Sequence, residues 1–171
     1  MVIKELNNIQ VGGDNATIYH HLISGILELL FFSYIAHPRI EQEIHEGRKR
    51  IDIVFDNIAE NGFFFLLGTT YNIPCSQIMI ECKNYSKDIN NPELDQMAGR
   101  FSARRGKFGI ICCRNIKDKA TFIKREKDTF QDDRGLIFHL DDTDIIKLLT
   151  DRKKGIKPDD YLISKYFEII S

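Results

Sequence analysis

The sequence has no excess of charge of either sign. Its 24 lysines and arginines stand against 25 acids, for a formal net charge of −1. That excludes a chain that holds nucleic acid by being basic all over, so any such surface has to be local. There is no CxxC pair. The four cysteines, Cys75, Cys82, Cys112 and Cys113, together with His20, His21, His37, His45 and His139, show no zinc-ligand spacing. They read as reduced, buried thiols of a cytoplasmic protein. Cys112 and Cys113 are adjacent in an apolar run, so a strand there would send their side chains to opposite faces. The first residues lack the basic, apolar and small-residue parts of a leader. The apolar stretch from Ile18 to Ala36 contains His20, His21 and Glu28. A charge near the middle of a membrane span is costly, so this stretch reads as a helix buried in a core, and no membrane is expected. With no repeat, low-complexity segment or linker, the 171 residues read as one α/β domain spanning 1–171.

Asp14 or Asn15 can cap a helix in which Ile18, Leu22, Ile26, Leu29 and Leu30 recur at helical spacing, and His37-Pro38 ends it. A charged run from Arg39 to Arg50 follows. Residues 51–56 alternate as a strand, with Ile51, Ile53 and Phe55 on one face and Asp52, Val54 and Asp56 on the other. Residues 63–67 fit helix or strand. Further strands are expected at 78–83, 108–113 and 136–140. A helix is expected from Pro92 to about Arg105, opened by Asn91-Pro92-Glu93 and closed by Gly106. Others are expected at 116–128, after the capping acids 141–144, and at 158–170.

Glu81 and Lys83 stand two apart on the 78–83 strand, so their side chains share a face, opposite Ile78, Ile80 and Cys82. Asp52 lies on another strand candidate. If the two strands pair, Asp52 and Glu81 can bind one hard cation such as Mg²⁺, with the backbone carbonyl of Cys82 as a third oxygen ligand. Lys83 would then orient or deprotonate an attacking water, or neutralise a phosphate. A divalent ion, an activated water and a nearby cation are what hydrolysis of a phosphodiester requires. ExK occurs once in the chain, at 81–83; the DxK at 151–153 follows a helix.

The run Arg50-Ile51-Asp52-Ile53-Val54, followed by Ile80-Glu81-Cys82-Lys83-Asn84-Tyr85, resembles the PD-(D/E)xK nuclease superfamily, most closely its restriction-endonuclease-like and Holliday-resolvase-like branches. Asp95-Gln96-Met97-Ala98-Gly99-Arg100 is similar to the glutamine-bearing helix of those nucleases. The resemblance covers about Ile18 to Cys113. It implies a restriction-endonuclease-like mixed central sheet flanked by helices, dependence on Mg²⁺ (or Mn²⁺), cleavage of DNA, and Gln96 as a supporting catalytic residue. Ile51 stands where the superfamily has its proline.

The resemblance also implies an acid from the first helix at the metal. Glu28, the one formally charged residue between Ala16 and Ala36, is the candidate, with Glu43 as rival. Gln96, Arg100 and Arg104 follow at one-turn intervals on the expected helix, with Arg105 and Lys107 just beyond, a face that could grip phosphates. The Arg48-Lys49-Arg50 run is a second candidate contact. The chain leaves no obvious room for a separate target-recognition domain, so a homodimer, a larger complex or a place within a longer protein is expected. The restriction-like resemblance suggests defence against foreign DNA. The alternative reading is a nuclease-fold module that has lost activity and binds nucleic acid or a protein partner.

Overall fold

The computed structural model describes residues 1–44, 46 and 48–171. The chain runs α1 (Val2–Asn8), a 3₁₀ turn (Gly13–Asn15), α2 (Ala16–Leu30), β1 (Ile35–Ile44), β2 (Lys49–Asn57), α3 (Gly62–Thr69), β3 (Gln77–Lys83), α4 (Asn91–Ala98), β4 (Phe108–Cys113), α5 (Lys119–Gln131), β5 (Leu136–Asp141), α6 (Asp142–Lys153) and α7 (Asp159–Ile170). It is an α/β fold with one five-stranded mixed sheet in the order β1-β2-β3-β4-β5. β1, β2 and β3 pair antiparallel, while β3, β4 and β5 pair parallel.

Helices cover both faces of the sheet. Ile53 and Phe55 of β2, Ile78, Ile80 and Cys82 of β3, Phe108, Ile110 and Cys112 of β4, and Leu136, Phe138 and Leu140 of β5 join residues of α1, α2, α3, α6 and α7 in the larger core. Met79, Ile111, Cys113 and Ile137 point the other way, into a smaller core closed by Leu94 and Met97 of α4 and Phe122 of α5. Cys112 and Cys113 therefore do lie on opposite faces. Strands covered on both sides need no polar alternation, so β4 reads as a continuous apolar run, and β5 as one broken only by His139 before its terminal Asp141. The crossovers β3–α4–β4 and β4–α5–β5 step in one direction through the sheet, and a common handedness puts both helices on one face. Contact there is close: a Cβ on Gly109 would stand 2.5 Å from Sδ of Met97 and 3.1 Å from the Met79 carbonyl oxygen.

The structure corrects three expectations. α2 stops at Leu30 instead of running to His37-Pro38, and β1 begins at Ile35 and continues into the charged run from Arg39, as an edge strand whose sequence carries no apolar alternation. Its register shifts between Ala36 and Arg39, and Pro38 sits there, where an edge strand tolerates a residue without an amide donor. Arg39 holds it to β2 through Asp56, with Nη2 2.7 Å from Oδ1 and Nη1 3.2 Å from Oδ2. Second, α2 buries Tyr19, Ile23, Ile26, Leu27 and Leu30, whereas Ile18 and Leu29 of the expected stripe are exposed. Third, α4 stops at Ala98, not near Arg105. Beyond Gly99 the chain turns into a short Ser102–Gly106 bridge. There Phe101 packs so tightly over Gly135 that a Cβ on that glycine would stand 2.4 Å from its ring.

Candidate active site

β2 and β3 pair from Asp56↔Gln77 to Ile53↔Ile80 and then separate, before Asp52 and Glu81 would meet. Alternation along β2 breaks at the same point. Ile53 belongs to the larger core, yet Ile51 lies with Val54 in the smaller one, so the expected shared face of Ile51, Ile53 and Phe55 does not form. The turn of the backbone at Asp52 aims its carboxylate into the gap. There Oδ2 accepts the amide hydrogen of Cys82 at 2.8 Å. Cys82 is the next residue of β3 to face β2 after Ile80, so the Asp52 side chain replaces a ladder bond that the β2 backbone no longer offers. In a strand a residue's carbonyl leaves on the same side as its amide, which puts the Cys82 carbonyl on the β2 side of β3.

Glu81 and Lys83 extend from the α4 face of β3. Glu81 is 1% exposed and Asp52 8%. Lys83 Nζ donates to Glu81 Oε1 at 2.9 Å and to Gln96 Oε1 at 3.1 Å, and the Gln96 amide donates to the same Glu81 oxygen. Glu81 Oε2 is buried with no hydrogen-bond partner among the described residues. A stranded carboxylate oxygen is costly unless a cation or water meets it. Gln96 is set by a helix that starts firmly: Pro92 lies in its first turn, and Glu93 Oε2 accepts from the Asn90 amide at 2.7 Å. Tyr85 adds its hydroxyl to Glu93 Oε1 at 2.5 Å. Beyond Lys83, Asn84 pins the N-terminal segment that leads into α2, donating to the Gln10 carbonyl at 3.1 Å and the Gly12 carbonyl at 2.9 Å.

Burial pushes the Glu81 carboxyl above its ordinary range, and the like charge of Asp52 adds to this; Lys83 and Arg100 offset part of it. Burial and the neighbouring Cys112, Asp52 and Glu81 push the Cys82 thiol well above its usual range. For an acid whose folded pKa is raised, the stabilising form is the neutral one. Its contribution is complete below the unfolded pKa and is lost as pH rises through the folded value. Glu81→Gln is therefore expected to melt higher than the native chain at pH 7.5 without metal, on the order of 2–4 °C for each kcal/mol relieved in a chain this size. The gain should fade toward pH 4. Melting scans across that range check this, and a Glu81→Gln variant that is less stable at pH 7.5 would show that the Lys83 pair outweighs burial.

Of the expected site residues, Asp52, Glu81, Lys83, Gln96 and the Cys82 backbone come together. Glu28 does not. It is exposed, and eight residues beyond His20 it lies about 12 Å further along α2. The side chain that α2 brings instead is His20, 7% exposed, with Nε2 3.8 Å from Asp52 Oδ2 and Nδ1 buried without a partner among the described residues. Glu43 is exposed on the edge strand. His139 is taken up elsewhere, its Nδ1 2.9 Å from Glu126 Oε1 and its Nε2 3.3 Å from Lys165 Nζ. His37 pairs with Asp56 at 3.1 Å. His21 is exposed, its Nδ1 2.8 Å from the Thr17 carbonyl oxygen. His45 lies outside the described residues.

The expected phosphate-gripping face also divides. Arg100 is near enough for its charge to act on Glu81. Arg104 is exposed, and its carbonyl accepts from Ser76 Oγ at 2.6 Å. Arg105 folds back on the Arg100 carbonyl, with Nη2 at 2.8 Å, while its own carbonyl accepts the Gln77 amide at 2.8 Å. Lys107 pairs with Asp133 at 3.0 Å. Gln77 and Glu81 stand about 13 Å apart along β3, so Arg104, Arg105 and Lys107 gather at the end away from the acids. The early end of α4 is the reason. Arg48 and Arg50 are paired with Glu46 and Glu41, and Lys49 Nζ donates to the Gly99 carbonyl at 3.1 Å, next to Arg100.

Fold and site together define an α/β protein in which two buried acids meet a half-buried lysine and glutamine where two antiparallel strands part. Among known proteins, no family model, no curated protein and no solved structure matches the chain. Among the described residues, no helix is long and apolar enough to cross a membrane.

Proposed function

We propose that this chain is a metal-dependent nuclease of the PD-(D/E)xK type, with a restriction-endonuclease-like fold, that hydrolyses phosphodiester bonds in DNA. The observation that carries the reading is that the Asp52 and Glu81 carboxylates lie close enough to repel where β2 and β3 part, with a Glu81 oxygen stranded beside Lys83. Three oxygen donors in partial burial suit Mg²⁺ or Mn²⁺. Such an ion would polarise the phosphoryl oxygen and lower the pKa of a bound water. Asp52, Glu81 and the Cys82 carbonyl would hold it. Lys83, kept beside Glu81 by Gln96, orients the water or balances charge growing on the phosphate. Arg100 and Lys49, at the C-terminal end of α4, are the cations placed to meet the backbone of the nucleic acid.

The test is to incubate the purified chain with supercoiled, linear and single-stranded DNA, and with RNA, in Mg²⁺, Mn²⁺ or EDTA. Cleavage of DNA in either ion and none in EDTA is expected. Cleavage that survives EDTA removes the metal from the mechanism. Binding to DNA with no cleavage of any substrate replaces the nuclease by the inactive binding module.

A further inference from the structure

A second donor set reaches Asp52 from the α2 side of the sheet. One donor atom each from His20, Asp52 and Cys82 lies within 4.8 Å of the others, and all three residues are buried. The Cys82 side chain is on the larger-core face of β3, opposite Glu81 and Lys83, and α2 presents His20 to the same face. This is a constellation apart from the oxygen donors on the other side, with Asp52 common to both.

Two details favour a ligand over simple packing. His20 Nε2 and Asp52 Oδ2 are 3.8 Å apart, beyond hydrogen-bond range. Two donors on one tetrahedral ion, each about 2 Å from it, stand roughly 3.3 Å from each other, so a small closing movement would satisfy both. The imidazole also has no other anchor: Nδ1 is buried and unpartnered among the described residues. A buried histidine held by neither nitrogen is an expensive way to fill space. The donor types decide which ion. Imidazole nitrogen, carboxylate oxygen and thiolate sulfur suit borderline ions such as Zn²⁺ and Co²⁺, whereas Mg²⁺ prefers oxygen alone.

We propose that His20, Asp52 and Cys82 form a binding site for a thiophilic divalent ion, zinc above all, whose occupancy withdraws Asp52 from the oxygen-donor site. Cys82 gives up its thiol proton to solvent as the sulfur bonds the ion, and water takes the fourth position. Binding stands independently of the nuclease reading; the consequence, inhibition of Mg²⁺-dependent cleavage by zinc, rests on it.

The probe is Co²⁺, titrated into the untagged full chain and followed by absorbance. One ion per chain is expected, with a thiolate-to-cobalt charge-transfer band that Zn²⁺ abolishes by displacement. Cys82→Ser should remove the band, and His20→Asn should weaken binding about tenfold or more. Glu81→Gln and Lys83→Ala, which disable only the other site, should keep it. Zinc-edge X-ray absorption of the native chain should show one sulfur at about 2.3 Å and one imidazole, a readout that holds even if a variant fails to fold. No charge-transfer band, a band surviving in Cys82→Ser, or a shell of oxygen and nitrogen alone overturns the site. A band in a chain that cleaves nothing sinks the nuclease reading only, and an active nuclease without the band sinks this site only.

Discussion

Alanine in place of Asp52, Glu81 or Lys83 is expected to lower Mg²⁺-dependent cleavage on the order of a thousandfold or more in each case. The three act as one unit. On the proposed mechanism Asp52 and Glu81 would hold the cation only together, and Lys83 is positioned by its 2.9 Å contact with Glu81. The double and triple changes should therefore cost little more than the worst single one. Gln96→Ala removes a contact to both Glu81 and Lys83 without removing a ligand, so a smaller loss is expected. Single-turnover rates at saturating Mg²⁺ measure this directly. A Lys83→Ala protein with native rates would leave the lysine as a structural partner of Glu81 and nothing more. Losses that multiply across the three positions would show that they act separately.

The largest effect on stability is expected at Phe63, far from that chemistry. Its ring is fully buried under the sheet, with centroids 5.6 Å from Phe64, 5.7 Å from Phe108 and 5.5 Å from Phe138. Phe63→Ala forfeits this burial and leaves a cavity that close-packed neighbours on two strands cannot collapse to fill. A cost of about 3–5 kcal/mol is expected, which lowers the melting temperature by roughly 10 °C. Cleavage measured well below the new melting point should be unchanged, because β2, β3 and α4 keep their arrangement. Urea unfolding gives the first number and cleavage assays the second. A small stability loss would mean that the aromatic group repacks around the gap.

Much of the architecture is written in local pattern. Residues 78–83 and 108–113 form strands as their apolar runs indicate, and β3 gains only Gln77 at its start. Glu81 and Lys83 share a face because alternation along a strand is a property of the backbone. The acids at 141–144 cap α6, with Asp141 Oδ1 accepting from the Asp144 amide at 3.0 Å. β1 was hidden because an edge strand with polar side chains leaves no apolar alternation to read.

The candidate site was legible where its geometry is local and illegible where it depends on docking. Helix α2 is apolar nearly all round, so periodicity supports more than one buried stripe. The sheet selects the one through Tyr19, Ile23 and Leu27, and that choice carries His20 inward and leaves Glu28 in solvent. The spacing of Gln96, Arg100 and Arg104 assumes that α4 continues. Phe101 packing over Gly135, a residue far along the chain, accompanies the turn that follows Ala98 instead.

The strand that carries Glu81 and Lys83, the apolar central strands and the capped helices around them could be read from residue order alone. Each follows from backbone periodicity and from hydrogen bonds between residues a few positions apart. Packing across the sheet is what parts β2 from β3 at Asp52, gives the Cys82 amide to a carboxylate thirty residues upstream, turns histidine and not glutamate toward the site from α2, and sets which cations lie at the same end of the sheet. Those outcomes depend on which surfaces bury each other, and energies between residues distant in sequence leave no period in the chain to be read.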